Sequence, residues 1–78
     1  MKCTQYFLHT RIRPDRKHIE ESWIEETIQN PDKEYIQEDG RIRRWKRIPE
    51  ANDRILRVVL LSDGETVHNA FLDRRFKE

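Results

Sequence analysis

Arginine, lysine and histidine are the side chains of this chain that could carry out chemistry without a cofactor. Metal-independent RNA cleavage fits them: a ribose 2′-hydroxyl attacks its own phosphate, a base removes the proton, an acid protonates the leaving oxygen, and cations stabilise the transition state. His68 is the candidate acid or base because the ordinary pKa of histidine lies near neutrality. Arg57 could hold the phosphate with its two-pronged guanidinium group, and His9 is the candidate second acid or base.

The same residues also have structural explanations. His68 could hydrogen-bond Arg57 or Thr66 as an ordinary strand residue, and His9 could cap a connector or lie on the surface. Other chemistry is disfavoured, because the chain has two glycines and one cysteine and lacks a glycine-rich phosphate loop, a nucleophile elbow and a His-Glu-x-x-His motif. The three histidines do not have the spacing of a local metal site. We therefore expect no cofactor and no metal.

A second basic feature is the run 41–47, in which six of seven residues are cationic or aromatic. Single-stranded nucleic acid binding uses an aromatic ring among guanidinium groups, since the ring stacks on bases and the cations contact the backbone. Together with the connector before the helix and the C-terminal arginines, this run predicts an RNA-contact set of Arg13, Arg41, Arg43, Trp45 and Arg74. The alternative is an ordinary exposed strand in which Trp45 covers an edge of the core.

Two predicted β-hairpins position these residues, each turning at an Asp-Gly pair that tolerates the positive φ of a two-residue turn. A turn at Asp63-Gly64 pairs Leu60 with Val67 and Arg57 with Ala70. The predicted core face of this hairpin consists of Leu56, Val58, Leu60, Val67 and Phe71. The predicted opposite face consists of Arg57, Val59, Leu61, Thr66, His68 and Ala70. In the other hairpin, a turn at Asp39-Gly40 pairs Ile36 with Arg43.

The rest of the chain predicts one strand and one helix. Residues 2–8 read as a first strand, and an apolar stripe from about Arg16 to Asn30 predicts a helix that packs through Trp23 and ends before Pro31. The predicted fold is therefore α+β in a single domain, residues 1–78. One long helix lies on one face of a four- to five-stranded antiparallel sheet, in the order β-α-β-β-β-β, and the opposite face stays open.

The composition and the charge distribution of the chain predict what it binds. With 35% hydrophobic and 40% charged residues, the chain has barely enough apolar side chains for one covered sheet face, so a homodimer or a hetero-complex would add burial. Residues 20–39 hold eight acidic residues and one basic residue, a net charge of −7, between basic segments of +4 and +5. This pattern predicts a basic sheet side that meets RNA phosphates, or charges that only solvate exposed faces.

The chain contains no stretch near the roughly 20 apolar residues that a membrane span needs. The region around Cys3 lacks the apolar run of a signal peptide. We therefore expect a cytoplasmic protein without membrane contact.

A succession of short motifs extends along nearly the whole chain. It consists of His9, Arg13 and Lys17-His18-Ile19, a helix ending at Asn30-Pro31, then Asp39-Gly40-Arg41, Leu56-Arg57-Val58-Val59 and 67–74. This succession resembles a group of small bacterial domains that are similar to the BrnT toxins and, more distantly, to the RelE/ParE toxins and the barnase, EndoU and colicin-type nucleases. The resemblance implies a ribonuclease toxin or a relative, held inactive by a cognate antitoxin. It places the site at His9, Arg13, Arg41, Arg57 and His68.

Three functions follow from these patterns. The leading prediction is a small metal-independent ribonuclease, the toxin of a bacterial toxin–antitoxin pair or a relative of one. The second is a non-catalytic module of the same fold that binds RNA or a protein, and the third is a structural dimerising domain. Toxicity on expression separates the first from the others, and salt-dependent RNA binding without cleavage indicates the second.

Overall fold

The computed structural model describes residues 1–77 and shows two helices followed by a four-stranded antiparallel sheet. The helices are α1 (Gln5–Thr10) and α2 (Glu21–Gln29). The strands are β1 (Lys33–Ile36), β2 (Ile42–Ile48), β3 (Arg54–Leu60) and β4 (Val67–Leu72), and a 3₁₀ turn, Pro49–Ala51, joins β2 to β3. The strands lie in chain order across the sheet, which confirms the α+β class and the antiparallel sheet.

The predicted first strand is wrong, because most of that segment is helix α1. The Thr4 hydroxyl accepts a hydrogen bond from the Phe7 backbone N–H at 3.1 Å and caps the helix, while Phe7 and Thr10 bury one side of it. Only Cys3 joins the sheet, through an isolated parallel bridge to Val67. This cap and the burial of residues three apart outweighed the strand propensity of Tyr6 and Phe7. Residues 1–77 therefore contain no fifth strand.

The predicted helix from about Arg16 to Asn30 is found only over Glu21–Gln29. Residues 13–19 form successive turns instead, with the Arg16 N–H donating to the Arg13 carbonyl and the Ile19 N–H to the Arg16 carbonyl. Pro14 lies within these turns and disfavours helical backbone at Arg13. The protein thus has two short helices in place of one long one.

One face of the sheet, here called the covered face, packs on both helices. Trp23 is only 9% exposed and anchors α2 there, as predicted. The buried core consists of Phe7, Ile19, Trp23, Ile24, Ile48, Ala51, Leu56, Val58, Leu60, Val67 and Ala70. Burying these apolar side chains is the main favourable free-energy term for a domain of this size.

The first hairpin has a different register from the predicted one. The Gln37 N–H donates to the Arg41 carbonyl, which leaves a three-residue loop, 38–40, and pairs Ile36 with Ile42. Gly40 occupies the positive-φ position of this loop, at φ 93°. The predicted pair of Ile36 with Arg43 is therefore wrong by one residue.

The second hairpin begins as predicted and then shifts. Leu60 pairs with Val67, but an irregularity next to Val59 leaves His68 as an extra residue, so Arg57 pairs with Phe71. Such a bulge moves every later side chain of the strand to the other face. Ala70 is consequently buried in the core and Phe71 lies on the opposite face, the reverse of the predicted assignment.

The two turn glycines should differ in how they tolerate alanine. A Cβ on Gly40 would lie 3.2 Å from the Ser62 Cβ, whereas one on Gly64, at φ 73°, would meet only the Ile42 Cδ1 at 3.9 Å. We expect Gly64→Ala to lower the free energy of unfolding by about 1–2 kcal/mol, the cost of left-handed backbone, and Gly40→Ala to lower it by more. Urea denaturation measures both variants, and equal losses would contradict the prediction.

Candidate functional site

The face of the sheet opposite the helices, here called the open face, presents one side chain from each strand in a line. Lys33 pairs with Trp45, Trp45 with Arg57, and Arg57 with Phe71, so these four residues form a row across all four strands. The Arg57 Cζ lies 5.1 Å from the centroid of the Phe71 ring and 5.8 Å from that of Trp45, which are cation–π distances. We call these four residues the cation–aromatic row.

Arg16 extends the row beyond the edge of the sheet. Its Cζ lies 5.3 Å from the Phe71 centroid, and its Nη1 donates a 2.6 Å hydrogen bond to the Asn69 Oδ1. The turns after α1 therefore bring a connector arginine onto the open face. Cations and aromatic rings alternate from Lys33 to Arg16.

Residues 73–77, here called the C-terminal cover, pack over the middle of the row. The Asp73 carboxylate accepts a 3.0 Å hydrogen bond from the Trp45 Nε1 and lies 3.6 Å from an Arg57 nitrogen. The Phe76 ring lies 5.4 Å from that of Trp45, and the Lys33 Nζ lies 5.6 Å from the Phe76 centroid. Trp45 is only 7% exposed under these contacts.

The electrostatics of this region centre on Arg57. Burial and the charge of Arg43 lower its pKa, while the carboxylate of Asp73 opposes that change. Burial would raise the pKa of Asp73, but hydrogen bonds from Trp45 and the Arg75 backbone, together with Arg57, lower it overall. Arg57 and Asp73 form an ion pair at 3.6 Å, in which one carboxylate compensates only part of the positive charge of the face.

A groove of about 620 Å³ lies between the row and the C-terminal cover. It is lined by both cations and both rings of the row, together with Arg74 and Phe76. Ligand sites in proteins commonly have volumes of this order and combine aromatic walls with a few charged groups. The groove is therefore large enough for a nucleobase and its phosphate.

The predicted catalytic residues have separate partners. His68 lies at the bulge, where its ring stacks on Tyr6 at 4.9 Å and its Nδ1 lies 3.1 Å from the Thr4 hydroxyl. Arg57 packs between Trp45 and Phe71, and His9 is exposed in the last turn of α1. Arg57 and His68 therefore contact different side chains.

The predicted RNA-contact residues divide into two groups. Trp45 and Arg43 lie on the open face, where the Arg43 Cζ is 5.7 Å from the Tyr35 centroid, and Arg74 lines the groove. Arg13 and Arg41 are exposed, and each forms an ion pair with a nearby aspartate, Asp15 at 3.6 Å and Asp39 at 3.8 Å. The structure thus brings three of the five toward one surface.

Sequence reasoning missed several residues of this surface. Phe71 was assigned to the core because nothing in the sequence marks the bulge. Phe76 packs on Trp45, which belongs to an inner strand. Arg16 lies at the start of the predicted helix, and the sequence gives it no place on the sheet. An aromatic residue between basic ones at 74–77 is the one signal that could have indicated Phe76.

Comparison with known proteins finds no matching family model, no similar curated protein and no similar solved structure. The resemblance to BrnT-like and RelE-like domains therefore stays a prediction. Among residues 1–77, no group of three or more histidine, cysteine or acidic side chains could hold a metal ion, and no helix there has the length and apolar character to cross a membrane.

The environment of His68 predicts a pH dependence of stability. Burial, and then the charge of Arg41, lower the pKa of His68 below the ordinary value of about 6.5. As the pH falls, His68 therefore takes up a proton in the unfolded chain at a higher pH than in the folded chain. Its contribution to the free energy of unfolding is fully present above pH of about 6.5 and is lost as the pH falls toward the folded pKa. NMR titration of the ring and urea unfolding from pH 5 to 8 measure both effects.

The matched control for this prediction is His68→Asn, which should lack that part of the pH dependence. A His68 ring that titrates at or above the ordinary histidine pKa would contradict the prediction.

Proposed function

We propose that this protein binds single-stranded RNA on the open face of its sheet. The observation that carries the proposal is the cation–aromatic row, Lys33, Trp45, Arg57 and Phe71, which crosses all four strands. Proteins that bind single strands combine rings for base stacking with cations along the backbone. This surface has both kinds of group in alternation.

The spacing of the row suits an unpaired strand. Trp45 and Phe71 lie on β2 and β4, two strands apart, so their rings are separated by roughly 10 Å at the usual strand spacing of about 4.8 Å. Arg57 lies between them. A strand with one base on each ring would therefore place the intervening phosphate at Arg57, where a bidentate hydrogen bond is available once Asp73 releases it.

The C-terminal cover implies that RNA competes with internal contacts. The Phe76 ring packs on that of Trp45 with a tilt of 36°. Asp73 accepts a hydrogen bond from Trp45 and forms an ion pair with Arg57, and a base and a phosphate could replace these contacts. Each such contact contributes on the order of 1 kcal/mol. RNA binding would release these contacts and form equivalent ones, which supports modest affinity with strong dependence on salt.

Two substitutions on the row test this function. We expect Phe71→Leu, which keeps an apolar side chain but removes the ring, to weaken binding of a short oligoribonucleotide by about 5- to 100-fold, the range for one lost base stack. Lys33→Gln should weaken binding and reduce the slope of log affinity against log salt by about 0.7. Fluorescence polarisation across a salt series measures both.

The control variants remove a ring and a cation that lie outside the row. Tyr6→Leu removes an exposed ring outside the row, and Lys46→Gln removes a cation that donates to the Asn30 carbonyl behind the sheet. Both should bind RNA like the wild type. Equal losses in these controls, or no binding by the wild type, would refute the proposal.

RNA cleavage by a toxin is a second candidate, favoured by the surroundings of His68. The lowered pKa keeps this ring neutral at physiological pH, as a general base must be, and Arg41 is close enough to affect it electrostatically. Such an enzyme would use Arg57 or Arg41 for the phosphate and would require a cognate antitoxin in the cell. This role needs an RNA strand that reaches from the row to the bulge.

Induced expression tests the cleavage candidate. The cleavage candidate predicts growth arrest and fragmented RNA with the wild type. It also predicts loss of both with His68→Ala and Arg57→Ala variants whose circular dichroism shows a folded chain. Arrest that persists in both folded variants would exclude these residues as the catalytic set. Intact RNA and normal growth with the wild type would leave binding as the function.

A further inference from the structure

A second cleft lies at the end of the cation–aromatic row, on the far side of Phe71. Its volume is about 380 Å³, and it is lined by three arginines and one histidine against a single carboxylate. The lining residues that matter for charge are Asp15, Arg16, His18, Arg54 and Arg74. They come from three separate parts of the chain, the turns between α1 and α2, the start of β3 and the C-terminal cover.

Arg16 in this cleft has unused hydrogen-bonding capacity. Its side chain is 14% exposed, and its Nε is buried without a hydrogen-bond partner, 3.8 Å from the nearest Asp15 oxygen. This nitrogen is itself buried, so an anion in the cleft would act on Arg16 through the charge of the guanidinium group, which a single carboxylate at 3.8 Å compensates only in part.

The cleft adjoins the RNA surface through a shared wall. Phe71 and Arg74 line both the groove over the row and this cleft. The sheet ends at β4, and the row continues past it only to Arg16. A strand stacked along the row therefore reaches this cleft with the nucleotide that follows the one on Phe71.

The charge of the cleft selects among phosphate groups. An internal phosphodiester has a single negative charge, whereas a terminal phosphate monoester has about −1.5 to −2 at pH 7 and three acceptor oxygens. Three guanidinium groups against one carboxylate match the greater charge and offer several bidentate contacts. We infer that this cleft, formed by Arg16, Arg54 and Arg74, binds the terminal phosphate of the RNA strand that lies on the row, an inference that rests on the proposed function.

The test compares one oligoribonucleotide in three forms, with a 5′-phosphate, with a 3′-phosphate, and with hydroxyl groups at both ends. We expect one of the phosphorylated forms to bind the wild type about tenfold more tightly than the hydroxyl form, and the form that does so identifies the end. Arg74→Gln, which changes an exposed side chain, and Arg54→Gln should remove that preference.

The matched control is Lys17→Gln, an exposed cation in the same connector as Arg16 that does not line the cleft. It should keep the full preference for the phosphorylated end. Thermal melting of each variant verifies that a lost preference does not come from unfolding.

The outcomes separate this inference from the proposed function. If the wild type binds all three forms equally, or if Lys17→Gln loses the preference as fully as Arg74→Gln, the cleft is not a phosphate site, while RNA binding by the row stands. If the wild type binds none of the forms, both the proposed function and the inference fail. A phosphoserine peptide that binds as tightly as the phosphorylated RNA would also overturn the inference, since it would show an anion site unconnected with RNA.

Discussion

The β-bulge at His68 is the feature on which the open face depends. Without that extra residue, the pairing of Leu60 with Val67 would continue regularly and place Ala70, not Phe71, beside Arg57. Phe71 would then lie among the buried residues of the covered face, and Arg57 would lose one of its two rings. The bulge thus converts an amphipathic strand into one that contributes an aromatic ring to each of two surfaces: His68 stacks on Tyr6, and Phe71 packs between two arginines.

The basic residues of β2 lie alternately on the two faces of the sheet. Arg44 and Lys46 lie on the covered face, where they donate to the carbonyls of Ile28 and Asn30 at the end of α2. Cations are favourable at a helix C-terminus, so these two charges stabilise the packing of α2 on the sheet. The alternate residues, Arg43 and Trp45, are on the open face. One continuous basic segment therefore has a half that packs against α2 and a half that lies on the open face.

The sequence predicted the class of fold, the antiparallel sheet and the place of Trp23, because these follow from apolar periodicity and from turn residues. It did not predict the register of the first hairpin, or the bulge that shifts the second hairpin beyond the pair of Leu60 and Val67. An Asp-Gly pair is compatible with loops of different lengths, and only the complete hydrogen-bond pattern distinguishes them. Helix α1 was missed because the strand propensity of Tyr6 and Phe7 is outweighed by the Thr4 cap and by the burial of Phe7 and Thr10 against the sheet.

The candidate site was predictable in composition but not in arrangement. Arg57, Arg43 and Trp45 were identified from residue type, and they share the open face. Their connection to Phe71, Asp73 and Arg16 depends on a bulge and on two loops whose paths no periodicity indicates.

This division has a physical cause. Burial requires apolar residues at the regular spacing of a helix or a strand, and this spacing can be recognised in a sequence. The contacts of a polar surface join residues far apart in the chain, and no regular spacing marks them. Asp73 illustrates the point: its carboxylate contacts Trp45 and Arg57, 28 and 16 residues away in sequence. Because those contacts limit access to the row, the same carboxylate that holds the C-terminal cover in place also sets how strongly any ligand must bind to displace it.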